Sequence, residues 1–275
     1  MIEKYDSVII YGDRIETYFF SKYCFYNKKE LIHIGGGEIT SGSMDNKFRY
    51  AISAISDYHF VTGSDSKKNL EKINDNVFNI GYFLPKNDTC LLEKNRYLFQ
   101  KLIKPFFLIT YHPNTLADFK TNKYEINELL RSLNEFKDNF YFVFTYPNPD
   151  TYNELIIENI NIYSKKNNQN SFFVNTLGID YPFFMQNAYL LLGNTSSGIH
   201  ESPYYGVPTV NIGDRQKGRR ISKNILNCKN NSSEIFKKIK LIINNYKKYN
   251  VKTKINVASF NKFQKYIDKI ISYEK

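Results

Sequence analysis

No apolar run in this sequence approaches the roughly 18–20 residues that a membrane-spanning helix needs. The opening, MIEKYDSVII, has no apolar core behind a basic tip, so nothing there reads as a secretory leader. Cysteine is scarce: Cys24, Cys90 and Cys228 are scattered, odd in number, and without CxxC or metal-ligand spacing. That usage argues against a disulfide scaffold or a structural metal and fits a reduced, cytoplasmic setting. The G-x4-G-K-[ST], G-x-S-x-G and H-E-x-x-H strings are missing, as is any internal repeat. Their absence removes the phosphate-loop, nucleophile-elbow and zinc-helix readings.

What is present is a chain of 275 residues, 42% hydrophobic, enough to bury one large core or two modest ones. A formal charge of +11 invites a nucleic-acid reading. We set that aside, because lysine supplies most of the excess and travels with many Asn, Ile, Tyr and Phe residues. Positive charge concentrates only in the loop 215–223, which could serve phosphate oxygens, and after Lys237, where a solvated helix face accounts for it.

Apolar runs alternate with helical periodicity, the pattern of parallel sheets with crossover helices. Strands are predicted over 7–11, 30–34, 59–62, 77–80, 106–111, 140–145, 171–174, 188–193 and 209–212. Helices are predicted over 16–26, 45–55, 123–136, 151–160, 197–205, 234–246 and 258–272 among others, with a basic loop running to Leu226. Residues 86–104 read as a connection between two α/β units. Domains are therefore expected at 1–85 and 86–257, followed by a helix within 258–275 that packs back on the first.

Ligands of open α/β sheets sit beyond the carboxyl ends of the strands, and four such ends carry polar residues. Asp13 and Arg14 follow the first strand; a carboxylate there can act as a base and an arginine can meet a phosphate. Capping of the next helix by Asp13 is the competing reading. After the second strand, GGGEITSGSMDNKFR offers a ligand-hugging glycine turn and two carboxylates, Glu38 and Asp45, for proton transfer. A plain loop with an N-cap Asp and an Asp45–Arg49 pair fits that string as well. His112, held by Pro113 at the end of the 106–111 strand, is poised for acid–base duty or a diphosphate contact; His33 and His59 read as structural. The turn 194–197 leads into a helix whose first N–H groups lack intrahelical partners at the positive end of its dipole, a seat for phosphate. Gly198 would allow close approach, and Glu201, one turn past Ser197, could hold a sugar diol. An ordinary Ser-capped helix is the alternative.

These strings also carry a resemblance. GDRIE, HIGGGEITSG with Asp45, RYAISAISDYHF, TYHP, TYPNPD and NTLGIDYPFFMQNAYLLLGNTSSGIHESPYYGVPTVNIGDRQKGR cover nearly the whole chain. In that order they resemble the UDP-N-acetylglucosamine 2-epimerases, in particular the hydrolysing branch that feeds sialic, legionaminic and related nonulosonic acid synthesis. The resemblance implies an α/β fold of two Rossmann-like units of GT-B type with parallel sheets and an interdomain active site. It implies elimination of UDP to a glycal, then addition of water to give the 2-epimeric free sugar, with neither NAD nor an obligate metal.

By the same resemblance Asp13, Glu38, Asp45 and His112 are catalytic. Ser196, Glu201 and Arg215 hold the UDP, Glu201 at the ribose and Arg215 near the diphosphate. Arg14 beside Asp13, and Ser197 and Gly198 beside Ser196, complete the substrate-binding set. Gly35 stands where some members carry a catalytic Glu, and Ala54 where a Lys is usual. The family also begins with a strand and a basic turn that this sequence does not contain. The N-terminal unit is therefore expected to be incomplete, with an open sheet edge that favours a homodimer. A UDP-sugar-binding remnant without turnover and a GT-B glycosyltransferase stay open as alternatives, and UDP-GlcNAc and a diacetamido UDP-sugar both stay open as substrates.

Overall fold

The computed structural model describes residues 4–84 and 91–273. Cys90, the start of the expected connection at Lys86 and the expected boundary at residue 85 lie outside the described residues. Contacts divide the chain into two compact units: the described parts of Met1–Leu84 with Ile255–Lys275, and of Pro85–Lys254.

In the first unit β1 (Ser7–Tyr11), α1 (Ile15–Tyr26), β2 (Glu30–Ile34), α2 (Asp45–Ala54), β3 (Tyr58–Val61), α3 (Ser64–Leu70) and β4 (Val77–Asn79) alternate. The strands pair in parallel in the order β1-β2-β3-β4. Successive side chains of a strand point to opposite faces. Leu31 thus joins Ile10, Cys24 and Ile52 on one side, while Ile32 and Ile34 join Phe60 and Ile80 on the other. Burial on both faces explains why Leu31, Ile32 and Ile34 of β2 are all apolar. Strand β1, at the edge, is covered on one face: Ile10 is buried, but Ile9 is 49% and Tyr11 69% exposed.

The second unit contains α4 (Glu93–Lys101), β5 (Phe106–Thr110), α5 (Phe119–Leu133), β6 (Tyr141–Thr145), α6 (Asn153–Lys166), β7 (Ser171–Val174) and α7 (Tyr181–Asn187). It continues with β8 (Leu190–Gly193), α8 (Ser197–His200), α9 (Ser202–Tyr205), β9 (Thr209–Ile212), β10 (Ile225–Cys228), α10 (Ser232–Asn244) and α11 (Tyr246–Tyr249). Its parallel sheet runs β10-β9-β8-β5-β6-β7, so the winding direction reverses between β5 and β8. Loops diverge at such a switch point and leave a crevice at the carboxyl ends of the two strands. Phe107, Ile109, Phe142, Phe144, Leu190 and Leu192 bury one face against α5 and α10 through Ile126, Leu129, Ile235 and Ile239. Leu108, Val143 and Leu191 bury the other against Phe184 and Met185.

The chain then returns to the first unit. Tyr82 N–H donates to the Asn256 carbonyl at 2.8 Å and Ala258 N–H to the Tyr82 carbonyl at 2.8 Å. Helix α12 (Phe260–Tyr273) lays Phe263, Tyr266, Ile267 and Ile270 on the face formed by Ile32, Ile34 and Phe60. Rings of Phe60 and Phe263 lie 5.2 Å apart, and those of Phe78 and Tyr266 4.7 Å apart. Among the described residues no helix is long and apolar enough to cross a membrane.

Several elements differ from the sequence expectation. The helix expected over 197–205 is two single turns with Glu201 between them, because Pro203 has no N–H to continue the first. The segment expected as a loop to Leu226 ends in β10, a short edge strand whose polar Asn227 disguises it. Helix α5 starts at Phe119 rather than Lys123, since Asp118 caps it by accepting from Thr121 N–H at 2.8 Å. Helix α6 runs on to Lys166, past the expected end at Ile160.

Candidate functional site

The first unit gathers its polar residues around one guanidinium. Arg49, on α2 and only 3% exposed, ion-pairs with the Asp13 carboxylate just past β1. Its Nη1 also donates to the Glu38 carbonyl at 2.9 Å and to Thr40 Oγ1 at 2.7 Å. A buried guanidinium is tolerated only when its donors are matched in this way. Thr62, just past β3, donates to Glu38 Oε1 at 3.0 Å. Ser43 Oγ donates to Asp45 Oδ2 at 2.8 Å, and Asp45 N–H donates back to Ser43 Oγ at 3.2 Å. The loop between β2 and α2 is pressed against α3: at Gly37, with φ +78°, a Cβ would lie 2.4 Å from the Ser66 carbonyl oxygen.

The Asp13 carboxylate and the Glu38 backbone carbonyl thus meet on Arg49, while Asp45 opens the helix that carries it. Asp13 does not cap α1, whose N-cap residue is Arg14. Arg14 itself bonds Glu16 at 3.2 and 3.3 Å on the exposed surface. Beneath the cluster His33 donates from Nε2 to the Gly12 carbonyl at 2.9 Å, leaving Nδ1 to accept from Ser53 Oγ at 3.0 Å. Burial lowers its pKa to about 4. His59, its ring centroid 6.3 Å away, is likewise pushed down to about 4 by burial, and neither of its ring nitrogens has a hydrogen-bond partner among the described residues.

The second unit places its polar residues at the β5–β8 switch point. His112, two residues past β5, is buried, and its Nδ1 accepts from Asn148 N–H at 2.9 Å. That bond puts the proton of the neutral ring on Nε2, which makes the imidazole a donor. Past β8, Ser196 is exposed, whereas the Ser197 hydroxyl is buried and shared between Tyr181 Oη at 2.9 Å and Thr195 Oγ1 at 3.1 Å. Thr110 extends this hydroxyl chain, 3.3 Å from Tyr181 Oη and 2.8 Å from Thr145 Oγ1.

The expectation of open N–H groups at this turn needs correction. Gly198 N–H donates to the Thr195 carbonyl at 3.2 Å, and a Cβ on Gly198 would meet Thr209 Cγ2 at 3.2 Å and Leu191 Cδ2 at 3.4 Å. The missing side chain therefore lets α8 sit close on the sheet. Glu201, at the break between α8 and α9, lies beside Tyr181 and Tyr205. Burial raises its carboxyl pKa to about 7, and among the described residues no hydrogen bond or cation offsets it. Arg215, buried in the loop after β9, pairs with Asp150 past β6 at 3.5 Å.

Several participants escaped the sequence reading. Asp150 closes TYPNPD after a predicted strand, so the strand-end rule already pointed to it. Asn194 and Gln216, both buried, had no signal beyond lying in the turn and the basic loop. Tyr181 carried no signal in the sequence, and its hydroxyl lies 2.9 Å from Ser197 Oγ. Among the described residues no group of three His, Cys, Asp or Glu side chains could hold a metal ion.

Comparison with known proteins adds the following. A family model described as UDP-N-acetylglucosamine 2-epimerase matches residues 1–262. The chain is 39% identical over 246 residues to the GDP/UDP-N,N'-diacetylbacillosamine 2-epimerase (hydrolyzing) of Campylobacter jejuni, covering 86% of this chain and 64% of that protein. It is 32% identical over 222 residues to the polysialic acid biosynthesis protein P7 of Escherichia coli, covering 78% of this chain and 56% of that protein. The chain thus spans about three-fifths of the length of the curated relatives it matches. The crystal structure of UDP-GlcNAc 2-epimerase from Neisseria meningitidis bound to UDP-GlcNAc superposes with a TM-score of 0.79 at 20% identity. That match covers 99% of this chain and 78% of that one, and what it establishes is the shared fold, two Rossmann-like α/β units of GT-B type with parallel sheets.

Proposed function

The chain belongs to the UDP-N-acetylglucosamine 2-epimerase family, and from that premise we propose that it is a hydrolysing 2-epimerase acting on a UDP-linked N-acetylated hexosamine. The substrate we favour is the diacetamido sugar, since relatives named for UDP-N,N'-diacetylbacillosamine match at 39% and 29% identity. The reaction removes the C2 proton, forms the C1–C2 double bond and expels UDP from C1. Water then adds at C1 and a proton returns to C2 from the opposite face, giving the free 2-epimer of the type that nonulosonic acid synthesis consumes.

The observation that carries the reading is Glu201. A desolvated carboxylate near Tyr181 and Tyr205 at a switch point, with no donor among the described residues, fits a pair of vicinal ribose hydroxyls. Arg215, and Nε2–H of His112, fit the diphosphate, whose negative charge grows as it departs. In the first unit Asp13, Glu38 and Asp45 supply the carboxylates for removing and returning protons at C2. Arg49 fixes the first of these in place.

Incubation with UDP-N,N'-diacetylbacillosamine and with UDP-GlcNAc in D2O tests the proposal. The expected outcome is UDP release with one deuteron at C2 of a free sugar. No UDP release from either substrate, or transfer of the sugar to an acceptor in place of water, overturns it.

A further inference from the structure

We infer that Asn194 is a positioning residue of the nucleotide site, fixing His112 through its carboxamide and the Arg215 loop through its backbone carbonyl. The inference rests on the functional reading above for what the site binds, and on the following geometry for what Asn194 does.

The ladder between β5 and β8 ends at the Thr110–Gly193 pair. There the backbones are so close that a Cβ on Gly193, at φ +140°, would lie 2.0 Å from the Thr110 carbonyl oxygen. Just past that pair Asn194 N–H still reaches the Thr110 carbonyl, at a long 3.3 Å. The carboxamide of Asn194 takes over. Its Oδ1 accepts from His112 N–H at 2.7 Å and its Nδ2 donates to the His112 carbonyl at 2.8 Å, the pair of bonds a neighbouring strand would make. Only a primary amide offers donor and acceptor in that spacing.

The backbone of Asn194 is used as well. Its N–H donates to the Thr110 carbonyl at 3.3 Å, and its carbonyl accepts from Gln216 Nε2 at 2.7 Å. Gln216 is the neighbour of Arg215, and its Oε1 accepts from Arg219 Nη1. Asn194 is 2% exposed, so water cannot replace these bonds. With Asn148 on the His112 ring and Asn194 on its backbone, the imidazole has one orientation. The end of β5, the turn after β8 and the basic loop after β9 then move as one body.

The test compares Asn194→Asp and Gln216→Leu with the unaltered chain. It reads UDP affinity by calorimetry and the four imidazoles by long-range 1H–15N correlation, with His112→Gln identifying the His112 signals. Asn194→Asp keeps the shape but sets a carboxylate oxygen against the His112 carbonyl. UDP affinity is expected to fall about tenfold or more, and the His112 signals to leave the pattern of a single Nε2–H tautomer. Gln216→Leu cuts only the tie to the loop; it is expected to weaken UDP severalfold with the His112 pattern kept. An Asn194→Asp chain that retains the His112 pattern and binds UDP within twofold overturns the inference. If that variant does not fold, unchanged UDP affinity in Gln216→Leu overturns it. Failure of the unaltered chain to bind UDP would instead sink the functional reading, and the His112 pattern in Asn194→Asp would still decide the role of Asn194.

Discussion

Asp13 and Arg49, separated by 36 residues in sequence, form an ion pair in which the guanidinium is almost wholly buried and the carboxylate 24% exposed. The pair links the end of β1 to the first two turns of α2. It holds the intervening loop through the Glu38 carbonyl and Thr40.

Removing either partner leaves the other in a poor solvent. Arg49→Ala is expected to lower the stability of the first unit by about 3–5 kcal/mol. Arg49→Lys should recover only part of that, because an ammonium cannot reach Asp13, Thr40 and the Glu38 carbonyl from one planar fork. Urea denaturation followed by tyrosine fluorescence checks both, and a loss below about 1 kcal/mol for Arg49→Ala would contradict the assignment.

His33 and His59 give the fold an acid limit. Both have folded pKa values near 4, below the ordinary 6.5, so between those values the unfolded chain binds more protons. Their contribution is complete above pH 6.5 and is lost as pH falls towards 4, at about 1 kcal/mol per pH unit for each ring. His59→Leu removes one share together with two unbonded ring nitrogens. The variant should match or slightly exceed the parent at pH 7 and lose less at pH 5. Urea midpoints at the two pH values decide it; equal slopes would refute the buried-histidine account.

Glu201 has the opposite sign. Its folded pKa of about 7 lies above the ordinary 4.5, so the folded chain holds the extra proton and stability declines as pH rises from 4.5 through 7. Glu201→Gln is expected to raise stability at pH 8 by up to about 3 kcal/mol, while weakening UDP about tenfold through loss of a charged diol acceptor. In the unaltered chain UDP should bind more tightly as pH climbs through 7. Calorimetry with UDP at pH 6 and 8, beside denaturation of the variant, checks the two halves of this exchange. A variant that gained no stability would show that the carboxylate is better solvated than its surroundings indicate.

The parts of the site legible in the sequence are those set by neighbours along the chain. Apolar runs located β2, β7 and β9 to the residue, and the strand-end rule led to Asp13, His112 and the turn past β8. Pro203 was a legible signal for the break at Glu201, one turn into a helix it could not continue. What could not be read was pairing across the sheet. Arg49 had a local partner at the right helical spacing in Asp45, and only the fold brings Asp13 to it. Arg215 with Asp150, and Asn194 with His112, join loops of different strands, and no periodicity encodes such contacts. Strand β10 was hidden for another reason: its apolar pair Ile225 and Leu226 is followed at once by Asn227, too short a run to tell from the end of a loop.

The first unit is closed by a helix that lies far downstream of its sheet. Phe60 and Phe78 emerge early in synthesis, but Phe263 and Tyr266, which cover them, are translated only after the whole of the second unit. The usual order, in which the N-terminal body folds first and serves as a platform, is therefore reversed. The second unit has all of its strands while the earlier sheet still shows a bare aromatic face on the ribosome. Until Phe263 and Tyr266 are made, that face lacks the rings that cover it in the folded unit.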